Sequence, residues 1–327
     1  MVSESITYSE MIASQLTEFL SQNEGALILG VGVADPKGIF GTTLKPRLRF
    51  SERVLETPLS ENALTGVCVG LSLEGYIPIL VHARTDFLTL SAEHLINTAA
   101  KWNFSHHSES MGRVIVRAIQ GRGWGQGPQH SQNLATMFLN VPGINVWMPV
   151  SEEGYKEALN DTSASAVVII EPRRLYAEPV LSISNEEIIS EAVIYTYGDA
   201  ILDAMHVASI LQSQDVDVEV CPIEQLNFTV NPPPTSEKTK LAVICENSPS
   251  EYGVSSELAF YLAKVGVTVE RISPPFLPCP TSFPLEINWY PQPKDLLNVF
   301  VRHYGLDGST LLDNFQSRKE LAFTGPF

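Results

Sequence analysis

No apolar run in this chain reaches the roughly 18 residues that a membrane-crossing helix needs, and the first fifteen residues lack the basic-then-apolar order of a secretory leader. A cytoplasmic protein with no membrane contact is therefore expected. Cysteine is scarce: Cys68, Cys221, Cys245 and Cys279 stand apart, with no CxxC or other metal-ligand spacing, so neither disulfides nor a zinc site is expected. Cations are outnumbered, 21 Lys and Arg against 37 Asp and Glu, which leaves a formal charge of −16. Binding phosphate backbones or anionic lipid needs clustered Lys and Arg, so nucleic acid is disfavoured as a partner, and a basic protein surface remains open. Internal repeats and low-complexity tracts are also absent.

What is present is an alternation. With 327 residues and 44% hydrophobic content, the chain is long enough for two domains with buried sheets. Thr7 and Glu10 have capping-box spacing ahead of Ile12, Leu16, Phe19 and Leu20, which predicts a helix from Tyr8. The run ALILGVGV at 26–33 reads as a strand covered on both faces. Helices over 61–74, 91–102, about 131–139 and 151–160 then alternate with strands over 77–83, 114–120, 144–150 and 166–172. Residues 173–190 lose this rhythm, and a second set follows: strands over 192–198, 216–223, 241–247 and 267–272, with helices over 201–214, 255–265 and 294–304. Strands alternating with helices imply parallel sheets flanked by helices. The expected fold is α/β, as two three-layer domains at 1–185 and 186–327.

Three stretches carry candidate chemistry. In GRGWGQGPQHSQ at 121–132 the glycines miss both dinucleotide and Walker registers, because Gln126 and Pro128 stand where GxGxxG needs glycine. Glycine permits a loop that approaches a ligand closely or simply turns. His130, at the start of a predicted helix, can exchange protons near neutral pH, although a lone histidine more often does not. In ETPLSENALTGVCVGLSLEG at 56–75, Ser60 is placed to cap a helix with Glu61 in its first turn, where the helix dipole favours a carboxylate without any further role. In TDFLTLSAEHLINTAAKW at 85–102, Phe87 alone reads as core.

Taken together, these segments, with IIEPRRLY, YTYGDAILDAM and the closing PFLPCP, occur in an order that resembles the β subunit of the thiamin-diphosphate-dependent 2-oxo acid dehydrogenase E1 component, pyruvate or branched-chain type, in the transketolase-like superfamily. The resemblance implies a transketolase-like pyrimidine-binding domain followed by a transketolase C-terminal-like domain. It implies that Glu61 hydrogen-bonds the aminopyrimidine of thiamin diphosphate and promotes loss of the coenzyme's reactive proton. Phe87 would pack on that ring, Leu59 would line the same pocket, and His130 would take part in proton exchange during acyl transfer.

The Gly-Asp-Gly segment with a downstream Asn, by which such enzymes hold the diphosphate and Mg²⁺, is missing. The resemblance therefore implies half an active site, with no metal ligand assigned to this chain. The other half would come from an α-type E1 partner in an α2β2 heterotetramer, with an E2 acyltransferase as a further partner. Against the family pattern, Val31 and Gly32 replace a more usual acidic pair, which bears on any proton relay between paired sites, and Arg84 replaces an uncharged residue, which hints at an anionic or otherwise unusual substrate. The tail VRHYGLDGSTLLDNF is similar to transketolase tails. Two alternatives follow: a split transketolase-like enzyme that transfers a ketol or acyl unit to a small molecule, and a non-catalytic assembly subunit.

Overall fold

The computed structural model describes residues 6–107, 112–123, 125–183, 187–228, 232–308 and 311. The expected boundary at 185 and most of the tail beyond 308 lie outside these residues. The chain divides into two compact units. Their composition departs from a single cut at 185, because residues 122–131 group with the second unit and 224–227 with the first.

In the first unit the helices are α1 (Tyr8–Gln22), α2 (Leu44–Arg49), α3 (Glu61–Leu73), α4 (Leu88–Glu93), α5 (Trp102–Ser105), α6 (Thr136–Leu139) and α7 (Glu152–Asn160). Its strands are β1 (Ala26–Gly30), β2 (Val54–Glu56), β3 (Ile77–His82), β4 (Val114–Gln120), β5 (Ile144–Trp147) and β6 (Ala166–Pro172). They form one sheet in the order β2-β1-β3-β4-β6-β5, with every pairing parallel. Strands β4 and β6 are buried throughout, as a parallel sheet covered on both faces requires. Helix α1 starts where the capping box predicts: the Thr7 amide donates to Glu10 Oε2 at 2.8 Å, and the Glu10 amide donates to Thr7 Oγ1 at 3.3 Å. Its Ile12, Leu16, Phe19 and Leu20 are buried.

Several boundaries differ from expectation for identifiable reasons. Strand β1 stops at Gly30 rather than Val33, because the Glu56 carboxylate draws in the amides of Gly32 and Ala34 (2.5 and 2.8 Å) and turns the chain. Helix 91–102 instead begins as a 3-10 turn at Thr85 and passes through α4 into a π-helical segment, His94–Ala99. The helix expected over 131–139 shrinks to α6, since the polar side chains before it bond elsewhere: Gln132 donates to Asp86, and Asn133 accepts from the Ala135 amide.

The second unit carries β7 (Ala192–Thr196), α8 (Ala200–Gln212), β8 (Val218–Pro222), β9 (Leu241–Cys245), α9 (Val254–Lys264), β10 (Thr268–Ile272), α10 (Phe283–Trp289) and α11 (Pro293–Tyr304). Its sheet runs β10-β9-β7-β8, again all parallel. Ile194 and Val243 of the sheet pack with Val207 and Leu211 of α8 and with Leu297 and Phe300 of α11. Pro293 opens α11 and Gly305 closes it at φ 64°, the asymmetry that helix ends favour. All four cysteines are buried free thiols.

Among the described residues, the interior of the first unit holds one ion pair at zero exposure. Arg117 of β4 donates through Nε and Nη2 to the two oxygens of Glu171 in β6, at 2.7 and 2.9 Å. The Tyr155 and Tyr176 hydroxyls donate to the same oxygens at 2.5 and 2.6 Å. Four donors thus fill the acceptor capacity of one carboxylate, and burial followed by Glu171 itself pushes the Tyr176 phenol well above its usual range. Glu171→Ala leaves Arg117 charged and without its counter-ion, and should cost about 3–5 kcal/mol in urea unfolding. A loss below about 1 kcal/mol, the size of one ordinary hydrogen bond, would show that this pair is dispensable.

Candidate active site

In a parallel sheet all strand ends that point the same way share one edge, and a crevice opens where the connections diverge to opposite sides. In the first unit that point lies between β1 and β3: from β1 the chain moves outward to β2, then returns to place β3 on the other flank. A pocket occupies this position, lined by Gly30 and Val31 after β1, by Leu80, Val81, His82 and Ala83 at the end of β3, by Leu59, Glu61 and Leu64 around the start of α3, and by Phe87. Gly30 is needed for the close approach, since a Cβ there would lie 2.5 Å from the Val81 carbonyl oxygen.

Three predicted site residues, Leu59, Glu61 and Phe87, therefore line one cavity. Leu59 is 75% exposed at its rim. Glu61 is the first residue of α3, and Ser60, although at the N-cap position, forms no side-chain cap bond. Among the described residues the Glu61 carboxyl makes no hydrogen bond or ion pair. Glu10, also in a first helical turn, behaves differently and folds back to close the α1 capping box. With a flat aromatic side chain, aliphatic walls, one carboxyl residue and His82, the lining fits a planar heteroaromatic ring with a polar edge. Among the described residues no group of three or more His, Cys, Asp or Glu side chains could hold a metal ion.

His130 belongs to the second unit and is not among the residues lining this pocket. It closes a 3-10 turn over Pro128–His130, its amide donating to the Gly127 carbonyl at 3.1 Å. Glycine at 127 is explained by φ 80° and by Thr281, whose Oγ1 would lie 2.8 Å from a Cβ. The preceding loop is held by Glu286, which accepts from the amides of Gly123 and Gly125 at 2.5 and 3.4 Å. Arg84 does not line the pocket either. It is 8% exposed; burial holds its guanidinium below the usual range, and Asp86 opposes part of that effect.

Sequence reasoning missed His82, which had read only as the end of an apolar strand. It is 3% exposed, and its Nε2 lies 2.7 Å from Ser91 Oγ in α4. Ser91 Oγ lies 2.7 Å from Thr65 Oγ1, and Thr65 Oγ1 lies 2.7 Å from the Glu61 carbonyl oxygen. The available signal was a polar residue closing a fully buried run, which is more informative than another apolar one.

The profile of the transketolase pyrimidine-binding domain matches residues 4–179. Among curated proteins, the mitochondrial pyruvate dehydrogenase E1 component subunit beta-2 of Oryza sativa subsp. japonica is 26% identical, covering 91% of this chain and 86% of that protein. The mitochondrial beta subunit of Saccharomyces cerevisiae is 26% identical over 90% and 87%. That of Rickettsia felis is 25% identical over 90% and 97%. A solved structure titled as a split-gene transketolase, an inactive β4 tetramer, aligns with a TM-score of 0.69 at 18% identity, covering 92% of this chain and 99% of that one. That last likeness is one of fold.

Burial lowers the His82 imidazole to about 4, whereas an unfolded histidine titrates near about 6.5. Between these values the unfolded chain binds a proton that the native chain does not, so this contribution is complete above pH of about 6.5 and is lost as pH falls towards 4. Its size is roughly 3 kcal/mol at most. Urea midpoints followed from pH 7 to 4 should fall less steeply for His82→Gln than for the parent chain; identical slopes would show that native His82 protonates as freely as an exposed one.

Proposed function

The chain belongs to the transketolase pyrimidine-binding domain family, and from that premise we propose that it is the β-type subunit of a heteromeric thiamin-diphosphate-dependent 2-oxo acid dehydrogenase E1 enzyme. The observation that carries this reading is the pocket at the β1/β3 divergence, where an apolar, aromatic lining meets the single outward carboxyl of Glu61. The curated relatives named as pyruvate dehydrogenase beta subunits, similar over nearly the whole chain, support it.

Within this reading Phe87, Leu59, Val31 and Leu64 hold the coenzyme's pyrimidine ring and keep water from its faces. Glu61 meets the ring's polar edge, and its carboxyl holds the proton that is exchanged there. A carboxyl at the start of a helix suits the task because its position is fixed by the backbone while its oxygens remain uncommitted. Thiamin diphosphate, when bound, supplies the carbon nucleophile for a 2-oxo acid carbonyl and accommodates the electron pair left when carbon dioxide departs. His130 is assigned proton exchange during transfer of the acyl unit to a lipoyl group.

The diphosphate and Mg²⁺ fall to an α-type partner that carries Gly-Asp-Gly and a downstream Asn, in an α2β2 heterotetramer. The exposed side of α3, with Ala63, Val67 and Gly70, carries no charged residue and leaves room for a protein partner to approach closely. The acidic surface suits a basic binding region on an E2 acyltransferase.

Co-expression with such an α-type chain provides the test. The complex should decarboxylate a 2-oxo acid and reduce a lipoyl domain, and Glu61→Ala should lower turnover by about 10²–10⁴-fold, the range of a general acid or base. Unchanged turnover in that variant would remove Glu61 from the site. Activity with aldehyde acceptors but none with lipoyl domains would move the assignment to a transketolase-like transfer, and failure of the complex to bind the coenzyme would leave an assembly role.

A further inference from the structure

The first turn of α3 has an unusual support. Ser60 does not cap it; instead the backbone of Glu61 is reached from inside the unit by a file of side chains that starts at the pocket wall. His82, at the end of β3, lies 2.7 Å from Ser91 of α4. Ser91 lies 2.7 Å from Thr65 of α3, and Thr65 lies 2.7 Å from the Glu61 carbonyl. Ser91 and Thr65 are fully buried. A second tie joins the same turn to α4, where Asn62 Nδ2 donates to the Leu90 carbonyl at 3.2 Å.

The hydroxyl geometry gives the file a direction. The Thr65 hydroxyl donates, facing both Ser91 Oγ and the Glu61 carbonyl at 2.7 Å, so its one hydrogen is shared between them. Ser91 accepts from Thr65, which leaves its own hydrogen for His82 Nε2 at 2.7 Å. Nε2 then accepts, which requires a neutral imidazole with its hydrogen on Nδ1, consistent with the effect of burial on this group.

We propose that His82 is a positioning residue which, accepting at Nε2 and through Ser91 and Thr65, holds the first turn of α3 in place and so aims the Glu61 carboxyl into the pocket. The inference rests on the thiamin diphosphate reading of that pocket. It assigns the histidine no contact with the reaction; its effect is transmitted through two hydroxyls. Glutamine can replace the acceptor through its amide oxygen, whereas phenylalanine fills the space without accepting.

The test uses the reconstituted complex and the full chain. Calorimetry should show thiamin diphosphate bound about tenfold more weakly by His82→Phe and by Thr65→Val, the scale of one lost hydrogen bond. His82→Gln should recover most of the affinity, and the His82→Phe, Thr65→Val double variant should bind no worse than either single one, because the file acts as a unit. In a Glu61→Gln background, His82→Phe should add nothing. Nitrogen-15 NMR of the histidine-labelled chain should show the His82 hydrogen on Nδ1. A histidine hydrogen on Nε2, or the same loss from His82→Phe with and without Glu61, would overturn the proposal while leaving the pocket assignment intact. Should Glu61→Gln itself leave coenzyme affinity unchanged, the pocket reading and this inference would both fall. His82→Phe that folds at lower stability but binds as tightly as the parent would overturn it as well, since packing alone predicts that outcome.

Discussion

A parallel sheet ends its strands along shared edges, and that constraint organises the first unit. Side chains at the ends of β1 and β3 cannot be covered by a hairpin, because each chain segment must leave the sheet, form a crossover and return. Where the crossovers part company, between β1 and β3, the sheet itself leaves a gap. Every pocket residue is a consequence: Val31 follows one strand end, His82 and Ala83 mark the other, and α3 brings its first turn back over the opening. Gly30 permits the two strand ends to remain close.

The interior of that unit uses polar groups in two distinct ways. Around Glu171, four donors converge on one carboxylate, so each oxygen is committed and each donor's element is tied to β6. Such a site is rigid because removing Arg117 or Glu171 strands a charge in an apolar surrounding, and removing either tyrosine leaves a carboxylate oxygen short of a donor. The file from His82 to Glu61 is neutral, and Thr65 sets its direction by donating towards both Ser91 and the Glu61 carbonyl, which leaves the Ser91 hydrogen for His82. Rigidity and directionality are thus supplied by different groups, one across β4 and β6 and the other across β3, α4 and α3.

Most strands of the two sheets were legible as apolar runs, although the three-residue edge strand β2 was not read and charged residues interrupt β8 and β10; helix α1 was legible because Thr7 and Glu10 make a local bond that three-residue spacing reveals. Leu59, Glu61 and Phe87 were recognisable as a set only through resemblance; taken singly, Glu61 reads as a helix start and Phe87 as core, and Leu59 carries no signal of its own. Where the partners are distant in sequence the reading failed. Gln132 reaches Asp86, so the helix expected around it contracts. Glu286 holds the amides of Gly123 and Gly125 from more than 160 positions away, so nothing near the glycine run signals that it groups with the second unit. His82 was hidden for the same reason, its partner Ser91 lying on a helix whose start was itself misplaced.

The strongest competing account of Glu61 is that a carboxylate in a first helical turn needs no purpose beyond the helix dipole. Glu10 shows what that account looks like when it suffices: the side chain folds onto its own N-cap, takes two hydrogen bonds from Thr7, and has its titration lowered first by the backbone bond and then by the hydroxyl. Glu61 has the same dipole and an N-cap serine beside it, yet neither forms a capping bond. The dipole attracts a negative charge towards the helix end but does not dictate that its oxygens stay uncommitted over an aromatic and aliphatic cavity. That combination, together with a first turn secured from beneath by Thr65 rather than from the front by Ser60, keeps the pocket side of the helix end clear. A ligand with a hydrogen-bonding edge can occupy that side; a self-capped helix would have closed it.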